Sequence, residues 1–194
     1  QTEDKLSTFA APDSALCADC KRELMAVEER RYQYPFINCT NCGPRFSIMK
    51  GLPLDRSATT MAKFEICPNC KEEYEDPTSR RFHAQPNSCP DCGPQLRLLD
   101  KRGNKLNSTE PIREVIELLK QGKIGAVKGL GGFHLICNAN NEQAVQRLRI
   151  KKRRSTKALA VMSKDIPTLE EYSALSEKEK EVLSGAKKPI LLVE

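Results

Sequence analysis

The chain contains Cys17-Ala18-Asp19-Cys20 and Cys39-Thr40-Asn41-Cys42, and 50 residues further on it contains Cys67-Pro68-Asn69-Cys70 and Cys89-Pro90-Asp91-Cys92. Eight of the nine cysteines thus form two copies of the pattern C-x2-C-x18-C-x2-C. Two intervening residues let one tight turn present both sulfurs to one ion, and a second such turn completes the tetrahedron of thiolates around a structural zinc ion. The sequence therefore predicts two four-cysteine zinc sites built by a tandem duplication.

The spacing leaves open which Cys-x-x-Cys pairs share an ion. A duplication most simply joins the first pair with the second and the third with the fourth, whereas an elongated module permits the first to join the fourth and the second the third. Disulfides are the alternative to metal, but a disulfide framework is typical of small secreted domains, and no secretory segment is visible. A redox motif would need only one pair, in a βαβ context.

The duplication extends beyond the cysteines. Counterparts at the same offset are Lys21 and Lys71, Glu23 and Glu73, Arg30 and Arg80, Arg31 and Arg81, and Tyr32 and Phe82. Each copy also ends in Cys-Gly-Pro, and a glycine after the last ligand suits the positive φ that such a turn needs. We therefore expect positive φ at Gly43 and Gly93.

Composition divides the chain into two parts. Residues 1–105 contain eight of the cysteines and nine of the twelve prolines. They contain no long apolar run, so they cannot bury enough apolar surface to offset their conformational entropy. From Ser108 the pattern changes to alternating helices and strands. The predicted fold is a small metal-stabilised tandem zinc-finger module over 1–105, with fingers at about 12–48 and 62–98, followed over 108–194 by an incomplete α/β domain.

The second part has the pattern of a sheet covered by helices. The expected helices begin near Pro111, at Asn140 or Asn141, and at residues 169 and 177. The expected strands are 124–128, 133–137, 158–162 and 189–193. Three or four strands make only the front part of such a domain.

A glycine-rich stretch and a basic cluster are the candidate ligand-binding features of the second part. The stretch Lys128-Gly129-Leu130-Gly131-Gly132-Phe133-His134 matches neither a dinucleotide fingerprint nor a Walker loop, so on its own it is as typical of a tight turn between strands. Lys152, Arg154 and Lys157 follow, just before a predicted strand. Cations at a strand end, beside backbone that glycine lets a ligand approach closely, suit a triphosphate.

Four stretches carry a family resemblance: Asn38-Cys39-Thr40-Asn41-Cys42-Gly43-Pro44-Arg45-Phe46, Asp55-Arg56, Arg80-Arg81-Phe82-His83-Ala84-Gln85-Pro86, and Lys128-Gly129-Leu130-Gly131-Gly132-Phe133-His134-Leu135. They resemble motifs of the HypF-type carbamoyltransferases, which mature nickel–iron hydrogenases. In that family an acylphosphatase-like domain precedes the zinc fingers, a YrdC-like domain follows them, and a kinase-like domain ends the protein. The chain resembles the zinc module plus the start of the YrdC-like domain.

The resemblance implies a reaction. The family releases carbamate from carbamoyl phosphate and activates it with ATP, as carbamoyl adenylate, in the YrdC-like domain. It then transfers the carbamoyl group to the C-terminal cysteine of a partner maturation protein, toward the cyanide ligands of the hydrogenase iron. Two structural zinc ions, ATP and magnesium are the implied cofactors. The cytoplasm is the expected location, in agreement with the thiol usage and with the lack of a visible membrane segment. The fragment alone is expected to be inactive.

Residue roles follow from the same resemblance. YrdC-like domains bind triphosphate and the activated acid with a Lys-x-Arg motif and a following lysine. Lys152, Arg154 and Lys157 match that motif here. The residue after that lysine is alanine here, where the family usually has proline. Lys128 and His134 lie where the acyl-adenylate pocket begins, so they are candidates for contact with carbamate or phosphate. No catalytic residue is assigned.

The zinc module is expected to be structural, because four thiolates leave no open position for water or substrate. Its basic residues have open roles: they line a path for the carbamate anion, or they are surface or ion-paired residues. These residues are Arg30, Arg31, Arg80, Arg81 and His83. His83 is not expected to bind zinc, since both quartets are already complete.

Two other function classes are less favoured. Tandem zinc ribbons also bind nucleic acids, and YrdC-like domains have a tRNA-modifying branch. Against this, ligation of eight thiolates by two divalent ions lowers the formal charge from +6 to about +2, and the chain has few aromatic residues for stacking and no basic recognition helix. A chaperone-like peptide-binding module is the other class, but the long apolar groove residues that it needs are missing.

Removal of zinc is expected to unfold the finger module. A structural zinc site contributes about 10–16 kcal/mol in small domains, which is comparable to the whole folding free energy of a domain. A strong chelator at neutral pH should therefore abolish the circular dichroism signal of the fingers, and added zinc should restore it. An unchanged spectrum after verified metal removal would refute metal-dependent folding.

Overall fold

The computed structural model describes residues 11–193, which form two compact units. The finger unit comprises the described residues up to Gln95 together with those from Glu170 onward, and the hairpin unit comprises Leu96–Leu169. Residues after 170 join the finger unit because, for example, Ala15 N donates to Ala186 O at 2.8 Å. The division into a finger module and an α/β domain at 105–108 stays a prediction from sequence.

Six α-helices and two β-strands lie in the described range. They are α1 (Ala18–Met25), α2 (Pro68–Glu75), α3 (Pro111–Lys120), β1 (Gly125–Lys128), β2 (Phe133–Ile136), α4 (Glu142–Lys152), α5 (Ile166–Glu170) and α6 (Glu177–Ser184). None of these helices combines the length and the apolar character that crossing a membrane requires.

Each finger begins with a short helix whose N-cap is the first cysteine of a Cys-x-x-Cys pair. Cys17 caps α1 and accepts a hydrogen bond from Cys20 N at 3.5 Å, while Cys67 precedes α2. Pro68 occupies the first position of α2, where its missing N–H would have no partner in the helix anyway. The second cysteine therefore lies in the first turn, on the same side as the first.

Backbone geometry repeats at the 50-residue offset. Gln33 N donates to Leu24 O at 2.9 Å, and its counterpart His83 N donates to Tyr74 O at 3.0 Å. Gln33 and His83 both have left-handed backbone conformations, with φ of 54° and 49°. Because such a conformation is unfavourable for a residue with a Cβ, its recurrence shows that the two fingers share one chain path.

The two glycines that follow the last cysteines are required for different reasons. Gly43 has the expected positive φ, +94°. The same expectation for Gly93 is wrong, since its φ lies outside the left-handed range. A Cβ on Gly93 would lie 2.1 Å from Tyr34 Oη and 2.6 Å from Ser88 Cβ, so glycine is needed there for close packing.

Short 3-10 turns lie between the last cysteine of the first finger and the first cysteine of the second. These turns are Phe46–Ile48, Arg56–Ala58 and Thr60–Lys63. The guanidinium of Arg56 donates to Gln85 O and Asn87 O, both at 2.8 Å, and to Phe64 O at 3.1 Å. One arginine side chain thereby satisfies three backbone carbonyls that would otherwise lack donors.

The hairpin unit contains the glycine-rich stretch as the turn of an antiparallel hairpin. β1 pairs with β2 from Gly125 opposite Ile136 to Lys128 opposite Phe133, and Gly129 N donates to Gly132 O at 2.7 Å across the turn. Asn141 caps α4 by accepting from Ala144 N at 2.9 Å, as expected. The incomplete α/β architecture is confirmed.

Two predicted strands are absent from the described range. Residues 158–162 and 189–193 have no regular structure, and α5 begins earlier than the helix expected from 169. Met162 is 97% exposed and Leu192 87% exposed. A strand needs a neighbour to satisfy its backbone groups, and neither segment has one here.

A Gly93→Ala substitution tests the packing role of Gly93. The added methyl group overlaps Tyr34 and Ser88, so we expect a loss of about 1–3 kcal/mol in the free energy of unfolding, as is typical of overpacking. Gly51→Ala is the matched control, because a Cβ there has no neighbour within 4 Å. Equal denaturation midpoints for the two variants would contradict the packing role.

Candidate metal centres and ligand-binding residues

Two sets of four cysteine sulfurs converge, one set in each finger. The first set is Cys17, Cys20, Cys39 and Cys42, and the second is Cys67, Cys70, Cys89 and Cys92. Within each set all four sulfurs lie within 4.8 Å of one another. Of the two pairings that the sequence left open, the structure has the one in which neighbouring pairs share a cluster.

The sulfur spacing fits a tetrahedral zinc ion. Cys17 Sγ lies 3.7 Å from Cys39 Sγ, and Cys70 Sγ lies 3.7 Å from Cys92 Sγ. A Zn–S bond is about 2.3 Å, so the sulfurs of a regular tetrahedron are about 3.8 Å apart, against about 2.0 Å in a disulfide. All the cysteines are free thiols in this structure, and the two clusters fit two zinc ions.

Without metal, the thiols of the clusters differ in how readily they ionise: the hydrogen bond with Cys20 lowers the pKa of Cys42 to about 4. Burial raises the pKa of Cys70 to about 12, although nearby arginines act in the opposite direction. Zinc binds thiolates, so it must displace protons from these groups. The closed, buried clusters are therefore suited to a structural ion.

Glu73 of the second finger forms ion pairs with two arginines of the first finger. Arg31 binds it with both terminal nitrogens, at 2.9 and 2.6 Å, and Arg30 Nη2 lies 2.7 Å from Glu73 Oε2. Burial alone would raise the pKa of Glu73, but the hydrogen bonds from Arg31 and Arg30 outweigh it and lower the pKa to about 2. Glu73 is therefore ionised at neutral pH.

Glu23 of the first finger makes the reciprocal contacts. It forms ion pairs with Arg80 and Arg81 of the second finger. Arg31 and Arg81 are equivalent positions of the repeat, and so are Glu73 and Glu23. The Arg81–Glu23 pair is therefore the counterpart of the Arg31–Glu73 pair. Thus each finger supplies one glutamate and two arginines to the other, and Asp19 of the first finger adds a longer contact, with its Oδ2 3.9 Å from Arg80 Nη1.

Backbone acceptors continue this exchange. Arg31 Nε donates to Ser88 O at 2.9 Å, and Arg81 Nε donates to Asn38 O at 3.0 Å, which are again equivalent positions. The Arg31 side chain is 2% exposed and also donates to Asn87 Oδ1 at 3.0 Å. Both buried arginines are thus fully engaged by protein groups.

Of the two roles that the sequence left open for the finger arginines, lining a path for carbamate does not fit Arg31 and Arg81. Their guanidinium groups are buried and paired, so they cannot contact a passing anion. The ion-pair alternative is the one that the structure shows. The exposed His83 packs its ring against Tyr74 and Phe82, and it lies outside both cysteine clusters.

The register of the hairpin separates Lys128 from His134. His134 is opposite Val127, and Lys128 is opposite Phe133, with Lys128 Nζ 5.7 Å from the centre of the Phe133 ring. Directly opposite residues share a face and neighbours along a strand alternate, so Lys128 and His134 lie on opposite faces. The structure does not bring these two predicted contacts together.

The three predicted phosphate contacts lie at the end of α4 and in the loop that follows. Lys152 is the last residue of α4, and both it and Lys157 are exposed. Arg154 Nη2 donates to Ala158 O at 2.8 Å, while its buried Nε forms no hydrogen bond in the described part of the chain. Their role in nucleotide binding stays a prediction.

Comparison with known proteins agrees with both parts of the chain. The family model described as HypF finger matches residues 16–49 and 66–99, and the Sua5/YciO/YrdC model, described as Telomere recombination, matches 117–194. Carbamoyltransferase HypF2 of Cupriavidus necator is 48% identical over 193 residues, which is 100% of this chain and 24% of the relative. The chain belongs to the HypF family. It spans about a quarter of the length of the curated relatives that it matches.

Solved HypF structures share the fold. The crystal structure of T. kodakarensis HypF superposes with a TM-score of 0.90 and is 46% identical, covering 93% of this chain and 24% of that one. A full-length HypF in a phosphate- and nucleotide-bound form gives a TM-score of 0.84 at 47% identity, covering 91% and 23%. The HypF finger pair and the start of the YrdC-like domain therefore account for nearly the whole chain.

Glu73→Gln tests the exchange of arginines between the HypF fingers. The amide cannot neutralise Arg31, and a buried charge without its partner costs about 3–5 kcal/mol. We expect a loss of this size in the free energy of unfolding of the zinc-loaded protein. Glu75→Gln in the same helix removes only an exposed pair with Lys71 and should cost less than about 1 kcal/mol. Similar stabilities of the two variants would argue against the buried pair.

Proposed function

We propose that this chain belongs to a hydrogenase-maturation carbamoyltransferase that uses carbamoyl phosphate and ATP. The observation that carries this proposal is 46–48% identity over nearly the whole chain to HypF proteins, with a TM-score of 0.90. The YrdC-like domain forms carbamoyl adenylate, and the carbamoyl group passes to the C-terminal cysteine of a partner maturation protein. The reaction takes place in the cytoplasm.

Three cations, at the end of α4 and in the loop that follows it, bind the triphosphate. Lys152 and Lys157 are exposed, and neither they nor Arg154 form an ion pair within the described residues. Attack on the α-phosphate and loss of pyrophosphate both develop negative charge, which positioned cations stabilise. Bound magnesium would share this task by neutralising phosphate oxygens.

One face of the hairpin completes the pocket. Gly129 carries no side chain, so its backbone is open to close approach by a ligand. Lys128 and His134 face opposite sides, so we propose that only one of them contacts carbamate or phosphate. The zinc fingers contribute structure and no reacting group.

Nucleic-acid binding is the alternative that we do not favour. A nucleic-acid interface needs free cations for phosphates. Four arginines of the fingers are instead paired with Glu23 and Glu73 of the same chain.

ATP–pyrophosphate exchange by the full-length protein that carries this chain tests the proposal. Exchange should require carbamoyl phosphate, because carbamate is the acid that becomes adenylated. Exchange that proceeds equally without carbamoyl phosphate would overturn the proposed function.

Variants in the same assay test the residue assignments separately. Lys152→Ala and Arg154→Lys should each lower the exchange rate at least about tenfold. Lys151→Ala, an exposed neighbour in the last turn of α4, should leave it unchanged. Of Lys128→Ala and His134→Ala, only one should lower the rate. Equal exchange rates for the Lys151 and Lys152 variants would refute the phosphate contact of Lys152. They would not contradict the proposed reaction.

A further inference from the structure

Each cysteine cluster receives arginine N–H groups from the other finger. Arg30 Nη1 and Nη2 both lie 3.4 Å from Cys70 Sγ, and Arg31 Nη2 lies 3.4 Å from the same sulfur. In return, Arg80 Nη1 and Nη2 lie 3.7 and 3.8 Å from Cys20 Sγ. The metal centres of the two fingers are thus linked by side chains that cross in both directions.

The glutamates position these arginines. Glu23 lies three residues after Cys20 in α1, and Glu73 lies three residues after Cys70 in α2. Residues three apart share a helix face, so each carboxylate lies beside a sulfur of its own finger. An arginine that binds the carboxylate is thereby directed at the thiolate.

This arrangement favours thiolates, and therefore metal, in the receiving finger. Four thiolates around Zn²⁺ carry a formal net charge of about −2. Cys20 and Cys70 are both 0% exposed, and a charge-assisted hydrogen bond is stronger in such surroundings than in water.

An arginine can act in this way only when its own finger is folded. The buried apolar cluster of the first finger consists of Cys20, Tyr34, Ile37, Cys39 and Cys42, so three of its five members are metal-binding positions. Such a finger depends on its metal for folding. Metal in one finger therefore fixes the donors that the other finger uses.

We infer that the two sites bind zinc as one cooperative unit, in which loading of either finger raises the zinc affinity of the other. The inference concerns metal loading alone and does not depend on the proposed reaction. Thermodynamic linkage requires the same factor in both directions, and about tenfold is a typical size for such coupling.

Native mass spectrometry of the full chain at one equivalent of chelator-buffered zinc tests this directly. Two identical independent sites give half of the molecules with one ion, and independent sites of unequal affinity give more than half. For two sites of equal affinity, a tenfold coupling lowers the singly loaded fraction to about a quarter. The affinities of the two sites measured in Cys20→Ser and in Cys70→Ser give the singly loaded fraction expected for independent sites, and a fraction at or above that value in the unsubstituted chain would overturn the inference.

Variants then identify the linking groups. With Arg30→Ala and Arg80→Ala together, the singly loaded fraction should rise toward half, whereas Arg30→Lys with Arg80→Lys should give an intermediate value. Arg113→Ala is the control, because this exposed arginine pairs with Glu110, outside the fingers. A double alanine variant with the unsubstituted distribution would refute the role of the arginines.

Single-site variants test the reciprocity. Cobalt(II) bound to thiolates gives a charge-transfer band, so the affinity of the remaining site can be measured in Cys20→Ser and in Cys70→Ser. Both remaining sites should bind cobalt about tenfold more weakly than the same site in the unsubstituted chain. A loss confined to one of the two variants would refute reciprocal coupling.

Discussion

The exchange of buried arginines between the two fingers is the interaction on which the finger unit depends. Neither finger has a large apolar core, and much of what they bury consists of cysteine sulfurs and polar groups. Buried ion pairs are expensive to desolvate, so their net contribution to stability is small unless every donor is satisfied. Here Arg31 donates to a carboxylate, a backbone carbonyl and an amide oxygen at once. A planar guanidinium matches only one arrangement of such acceptors, and this makes the register of the two fingers specific.

The two copies of the duplication have become complementary rather than identical. Tyr34 is buried in the first finger and reaches Ser88 Oγ and Pro94 O, both at 3.3 Å, while the equivalent position in the second finger is the small Ala84. Burial raises the pKa of Tyr34 to about 12, so its hydroxyl remains protonated and can donate. Gly93 leaves room for this hydroxyl. The repeat therefore packs as an asymmetric pair even though its main ion pairs are symmetric.

The metal centres and the proposed nucleotide contacts lie in different parts of the chain. The cysteine clusters are closed. The arginines nearest to them form ion pairs with Glu23 and Glu73 and contact the cysteine sulfurs. The proposed phosphate contacts lie at the end of α4 and in the loop after it, where Lys152 and Lys157 are exposed and form no ion pair within the described residues. This separation agrees with the order of the family matches, in which the HypF fingers precede the YrdC-like part along the chain.

The sequence by itself determined that there are two four-cysteine sites, the hairpin and the start of α4, whereas the structure decided which Cys-x-x-Cys pairs share a cluster and added the helices α1 and α2. The features determined by sequence depend on residues that are close along the chain, such as two cysteines in one turn or an asparagine that caps the next helix.

Only the tertiary structure decided the partners of Arg31 and Arg81, the carbonyls bound by Arg56, the crowding at Gly93 and the opposite faces of Lys128 and His134. Those depend on groups that folding brings together from distant positions, or on the register of paired strands. The repeat signalled that Glu23 and Glu73 were equivalent, but spacing alone does not show that each one binds the arginines of the other finger. The strands expected at 158–162 and 189–193 failed for the same reason, because a strand forms only where a neighbour accepts its hydrogen bonds.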